Sequence, residues 1–151
     1  KVANEAGVPF EAVELDGMVE ADVVISITST FAPTIMSKHI GAGTHIACMG
    51  TDTKGKQEVE AALLARATVF TDEVAQSISI GEAQHAIASG LIKESDIHQV
   101  GAVINGAHAG RTSDDEITLF DGTGVGLQDL AVSAAIVRMA VEQGVAIEVD
   151  F

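Results

Sequence analysis

Tryptophan and tyrosine are missing from this sequence, and its aromatic side chains are five phenylalanines. Base-stacking platforms of the kind that hold single-stranded nucleic acid are therefore thinly supplied. Basic residues are scarce too, with 8 Lys and Arg against 22 Asp and Glu and a formal charge of −14. Phosphate backbones are gripped by clustered cations, and these cations are few and scattered, which argues against a nucleic-acid partner. The acidity reads as a solvated surface. A single cysteine, Cys48, rules out an internal disulfide and fits a reducing compartment. It sits in an apolar run, where a thiol serves as a small core hydrophobe. The longest uncharged run, VVISITSTFAPTIMS, is short of a membrane span and is interrupted by hydroxyls and Pro33. No charged-then-apolar leader is visible. A cytoplasmic location and no membrane partner are expected.

The 151 residues are 47% hydrophobic and 20% charged, a globular profile with enough chain to bury one domain's core. The opening KVANEAG reads as the tail of a helix already under way, so a piece of a longer chain is expected. Short β-branched runs then alternate with helical patterns, the mark of βαβ units and a parallel sheet. The expected strands are 10–13, 22–27, 44–49, 67–71 and 116–120, apolar throughout as suits strands covered on both faces. Helices are expected over 1–6, 15–20, 35–40, 57–66, 72–78, 81–89, 97–105 and 125–143. The last is apolar around its circumference, as in a helix buried against more than one surface. A final strand, VAIEVD, has nothing obvious to pair with. Both features point to a missing domain or a subunit partner.

The stretch GTDTKGKQ, Gly50 to Gln57, is one residue away from a Walker A phosphate loop. A phosphate loop needs Ser or Thr after its Lys to hold magnesium, and Gln57 is a poor substitute. Asp52 also places a carboxylate where phosphates would lie, and like charges at contact repel strongly. The triphosphate reading therefore fails. In open parallel sheets ligands bind beyond the carboxyl ends of the strands. Thr28, Asp52 and Asp121 each follow or end an expected strand, so the three are expected to face one crevice. On spacing alone Asp52 is either a turn cap or a general acid/base.

FDGTGVGL carries Gly122, Gly124 and Gly126, but the dinucleotide fingerprint needs a third glycine where Leu127 stands. It reads as a tight strand-to-helix turn. Histidines 39, 45, 85, 98 and 108 show no ligand spacing and no cysteine pair accompanies them, so no metal site is expected. A G-x-S-x-G nucleophile elbow is absent.

Taken in order, ADVVISITST, GTHIACMGTDTKGKQEVEAALLARATVFTD, GEAQHAIASGLI and GRTSDDEITLFDGTGVGLQDLAV resemble the ornithine cyclodeaminase/mu-crystallin family across nearly the whole chain. That family includes archaeal-type alanine dehydrogenase and ketimine reductases. The resemblance implies an α/β fold: the second half of a Rossmann-like, doubly wound parallel sheet, with a C-terminal helix and strand returning to a missing substrate and dimerisation domain. Residues 1–121 would belong to the dinucleotide-binding domain and 122–151 to the return segment.

The same resemblance implies NAD or NADP as cofactor, a small amino or imino acid as substrate, and a homodimer. It makes Asp52 the catalytic acid/base, which also contacts the substrate amine. It makes Thr28, Met49, Gly50, Thr51, Asp52, Lys56 and Gly122 cofactor contacts. Where many members carry Ser, this chain has Gly122, so one hydroxyl near the nicotinamide is replaced. The pyrophosphate turn and the substrate-binding Arg and Lys would all precede residue 1. Conversion of L-ornithine to L-proline is the expected activity. Alanine dehydrogenase, ketimine or pyrroline-carboxylate reductase, and a non-catalytic mu-crystallin-like carrier are the alternatives.

Overall fold

A computed structural model describes residues 2–149 of the chain. Five short strands form one parallel sheet: β1 (Val23–Ser26), β2 (His45–Cys48), β3 (Thr68–Thr71), β4 (Ile97–Gln99) and β5 (Thr118–Asp121). Their spatial order is β1-β2-β5-β3-β4, so the last strand in sequence is inserted at the centre. The helices are α1 (Val2–Ala6), α2 (Ala61–Leu64), α3 (Val74–Ser79), α4 (Gln84–Ala88), α5 (Val100–Ile104) and α6 (Gly126–Glu142). The expected α/β class with a parallel sheet is what the chain forms.

Register explains the core. Val24, Ile46, Leu119, Val69 and Ile97 lie side by side across all five strands and are 7% exposed or less. Leu63 and Leu64 of α2 and Ala86 of α4 close over that row. Each fully buried aliphatic side chain contributes about 1.5–3 kcal/mol relative to exposure. Two residues further along the strands, on the same face, the next row is Ser26, Cys48, Asp121, Thr71 and Gln99. Side chains alternate with a period of two along a strand, so the apolar row gives way to a polar one at the carboxyl ends.

The opposite face is much less covered. Val23 and Ile25 of β1 are 58% and 71% exposed, while Val100 and Val103 of α5 line a hollow together with Phe70 and Phe120.

Several expected elements differ. Residues 10–13 form no strand, and Phe10 and Val13 lie exposed. The helix expected over 57–66 shrinks to Ala61–Leu64, because Thr34 and Ile35 donate to the Glu58 carbonyl and Val59 bridges Ile35. The helix expected over 97–105 is a strand, β4, running directly into α5. Residues 35–40 contribute only a 3-10 turn, Ser37–His39. Helix α6 has no buried residue, so its apolar circumference is left uncovered by the rest of the described residues. The final strand does not form over 145–149, and Asp150 lies outside the described residues.

Candidate functional site

The carboxyl ends of β2, β3 and β5 surround a cleft of about 240 Å³ whose lining includes Met49, Asp52, Asp72, Phe120, Gly122 and Gly124. Backbone continuity builds it: Met49 N donates to the Ser26 carbonyl and Gly122 N to the Cys48 carbonyl. The two loops thus leave adjacent strands together. Gly50 permits their approach, since a Cβ there would lie 2.0 Å from the Thr28 carbonyl oxygen.

Asp52 stands at the mouth, its side chain 62% exposed, and receives Lys56 Nζ at 2.7 Å. The Thr53 hydroxyl donates to it as well, at 3.1 Å. The Lys56 ammonium holds the Asp52 carboxyl below the usual carboxylate range, with help from Thr53. Lys56 is itself mostly covered, 16% exposed, and its Nζ also lies 3.5 Å from the Gly50 carbonyl. Gln84 clasps the same loop, accepting from Gly55 N and donating to the Lys56 carbonyl. No helix begins at this loop, because α2 starts only at Ala61. The anion-binding N-terminus of a phosphate loop is therefore missing from GTDTKGKQ.

Across the cleft, Asp72 organises the turn after β5. Its carboxylate accepts from Thr123 N and Oγ1, Gly124 N and Glu73 N. Burial opposes its ionisation, but these hydrogen bonds outweigh burial and hold the carboxyl below its usual value.

Asp121 does not face the crevice with Thr28 and Asp52, as its position after the strand led us to expect. It is fully buried and accepts from Ser77 Oγ at 2.6 Å and Glu82 N at 2.8 Å, while its Oδ1 has no partner. Burial, aided by the nearby Glu82 carboxyl, pushes it up to about 7. Thr28 is held inward, with N and Oγ1 both donating to Glu58. The Thr51 side chain is buried on Glu82. Of the residues singled out in the sequence, Met49, Asp52 and Gly122 line the cleft, with Lys56 beside them. Glu58, Glu82 and Asp72 were not foreseen; the acid in KQEVE is the signal that was available.

A larger apolar hollow, about 390 Å³ and lined by residues including His45, Phe70, Arg111 and Phe120, lies on the open sheet face. Close to it, the rings of His98 and His108 stack at 4.3 Å. The cleft, not the larger hollow, is lined by carboxylates, Asp52 and Asp72, and chemistry is the better guide than size.

Could the cleft accept a nicotinamide dinucleotide? The thioether of Met49 and the ring of Phe120 give it apolar walls, and Gly122 and Gly124 leave backbone open to approach. Those residues fit the nicotinamide end. The Thr28 and Gly50 N–H groups are spent on Glu58 and so are not free to hold a phosphate.

Fold and cleft together define an α/β protein whose ligand crevice lies at the carboxyl ends of a parallel sheet. Residues 3–144 match the ornithine cyclodeaminase/mu-crystallin family, and the chain belongs to it. It is 62% identical over 149 residues to the iminosuccinate reductase of Paracoccus denitrificans, covering 98% of this chain and 46% of that protein. The crystal structure of that reductase in complex with NAD+ superposes with a TM-score of 0.94, over 99% of this chain and 46% of that one. The alanine dehydrogenase of Archaeoglobus fulgidus is 36% identical over 131 residues, 86% of this chain and 41% of that protein. The chain thus spans about half the length of the curated relatives it matches.

Proposed function

We propose that this chain supplies the nicotinamide side of an NAD-dependent enzyme that reduces the imine of a small dicarboxylic imino acid, iminosuccinate, to the amino acid. The observation that carries this reading is Asp52, an ionised carboxylate held by Lys56 at the mouth of a cleft beyond the strand ends. The 62% identity to an iminosuccinate reductase supports the substrate class. Ornithine cyclodeamination, the activity expected from the sequence, has less behind it. The relatives described above are a reductase and a dehydrogenase.

Bound in the cleft, the reduced nicotinamide would supply a hydride equivalent. Met49, Phe120 and Gly122 would hold its ring, and Asp72 would keep the turn that carries Gly122 and Gly124 in place. The Asp52 carboxylate would lie against the protonated imine nitrogen, stabilising its positive charge and orienting its carbon. Hydride addition turns the iminium into the neutral amine, and Asp52 would then relay a proton from solvent to that amine, which leaves as the ammonium. Lys56 is the cation nearest that point and keeps Asp52 charged. Further cations for the two substrate carboxylates would come from outside these residues. Residues 1–121 would complete a dinucleotide-binding domain. Residues 122–151 would return to a substrate and dimerisation domain, for which the exposed Leu127, Leu130 and Ile136 of α6 supply apolar surface.

The test uses the full-length protein with NADH, oxaloacetate and ammonia, the mixture that forms iminosuccinate. Loss of NADH matched by aspartate formed is the expected result. Turnover instead on pyruvate with ammonia, or release of ammonia and proline from L-ornithine, would overturn it.

A further inference from the structure

Beneath the cleft runs a chain of three buried carboxylates to which the proposed chemistry assigns nothing. Glu58 is fully buried. One of its oxygens accepts from Ser26 Oγ at 2.5 Å, Thr28 N at 2.6 Å and Thr28 Oγ1 at 2.9 Å. The other accepts from Gly50 N at 2.7 Å. Four donors from two strand ends thus converge on this one carboxylate, three on one oxygen and one on the other. Among the described residues no Lys or Arg pairs with it.

Glu58 is fixed in turn. Its own N–H and that of Val59 donate to Glu82 Oε1 at 3.0 and 2.8 Å, and Thr51 Oγ1 donates to Glu82 Oε2. The Glu82 N–H donates to Asp121 at the end of β5. Each acid's backbone is thus held by the next acid's side chain, from β5 to β1. Gly81 allows the last step, since a Cβ there would lie 2.6 Å from Asp121 Oδ2.

We propose that Glu58 is a positioning residue of the crevice: its carboxylate clamps the end of β1 to the end of β2 and sets the wall on which Asp52 is mounted. Gly50 and Thr51, the two residues before Asp52, are pinned by Glu58 and Glu82, so the direction in which Asp52 leaves the strand depends on this clamp. The clamp also withdraws the Thr28 and Gly50 N–H groups from any ligand. A phosphate is therefore not bound there, and the wall is left to the neutral end of the cofactor. This role rests on the reading that the crevice holds a nicotinamide dinucleotide.

Glu58→Gln in the full-length protein decides the matter. An amide nitrogen in place of one oxygen presents a donor to a donor, so one side of the clamp opens. The KM for NADH should rise at least about tenfold, the scale of one lost hydrogen bond to a charged group. The melting temperature should fall by a few degrees, because the buried amide is left unpaired, while the NADH bound per subunit at saturation remains near wild type. A merely structural role would lower the binding stoichiometry while the surviving molecules kept their KM; that result overturns the proposal. If Glu58→Gln does not fold, Ser26→Ala removes one donor and leaves the carboxylate. It should raise the KM for NADH roughly threefold, and an unchanged KM overturns the proposal. A wild-type enzyme that neither binds nor oxidises NADH would instead refute the function on which the proposal rests.

Discussion

Met49 and Gly122 meet so closely across the cleft that a Cβ added to Gly122 would lie 2.7 Å from both Sδ and Cε of Met49. The thioether occupies the room a side chain on Gly122 would need. Met is unbranched and readily re-packed, so Gly122→Ala should fold normally and move Met49 into the cleft. The KM for NADH should then rise roughly tenfold, the effect of about one methyl group in a pocket. Met49→Ala in the same chain should recover most of the loss. A double-mutant cycle on kcat/KM measures the coupling, and strict additivity would show that the two residues act separately.

Asp52→Asn removes the charge beside the imine nitrogen and leaves the shape. Turnover in the full-length enzyme should fall by about 10²–10⁴-fold, the range of a positioned proton-transfer group. NADH binding, followed by fluorescence, should change little. Wild-type turnover would dismiss Asp52 from the chemistry.

Asp121, raised to about 7 in the folded chain by burial, titrates near its ordinary value once unfolded. The folded state therefore keeps a proton that the unfolded state has released. Stability from this group is complete below the unfolded value, falls as pH rises between about 4 and 7, and levels off above. Asp121→Asn can still accept from Ser77 and Glu82 N through its amide oxygen. Denaturant unfolding across that pH range should lose its downward slope in the variant; an identical slope would place the proton elsewhere.

How much of this was legible beforehand follows from range of interaction. Strands β1, β2, β3 and β5 announce themselves as apolar runs, whatever packs on them. Strand β4 hides because Ile97–Gln99 is three residues long and passes straight into α5, so a helical pattern absorbs it. The end of α2 nearest the cleft was overread because Glu58 and Val59 spend their backbone on tertiary partners, which no local pattern reveals. Asp52 was visible from its place after a strand, as a turn cap or an acid/base, whereas Met49 and Gly122 entered only through the family resemblance. The bonds from Glu58 to Thr28, 30 residues away, and from Glu82 to Asp121, 39 residues away, leave no periodic trace.

The acids under the cleft are held by hydroxyls and backbone amides, with no Lys or Arg among their partners. They are also buried, so dissolved ions screen little there. Their leverage is on the outside, where 22 acidic side chains outnumber 8 basic ones and repel one another. The three ion pairs among the described residues each include an exposed carboxylate, and such pairs contribute little. Raising the ionic strength should thus stabilise this chain rather than loosen it, and a melting temperature that climbs with added potassium chloride is the expected sign. The clamp that shapes the crevice would hold its geometry equally in dilute and in concentrated salt.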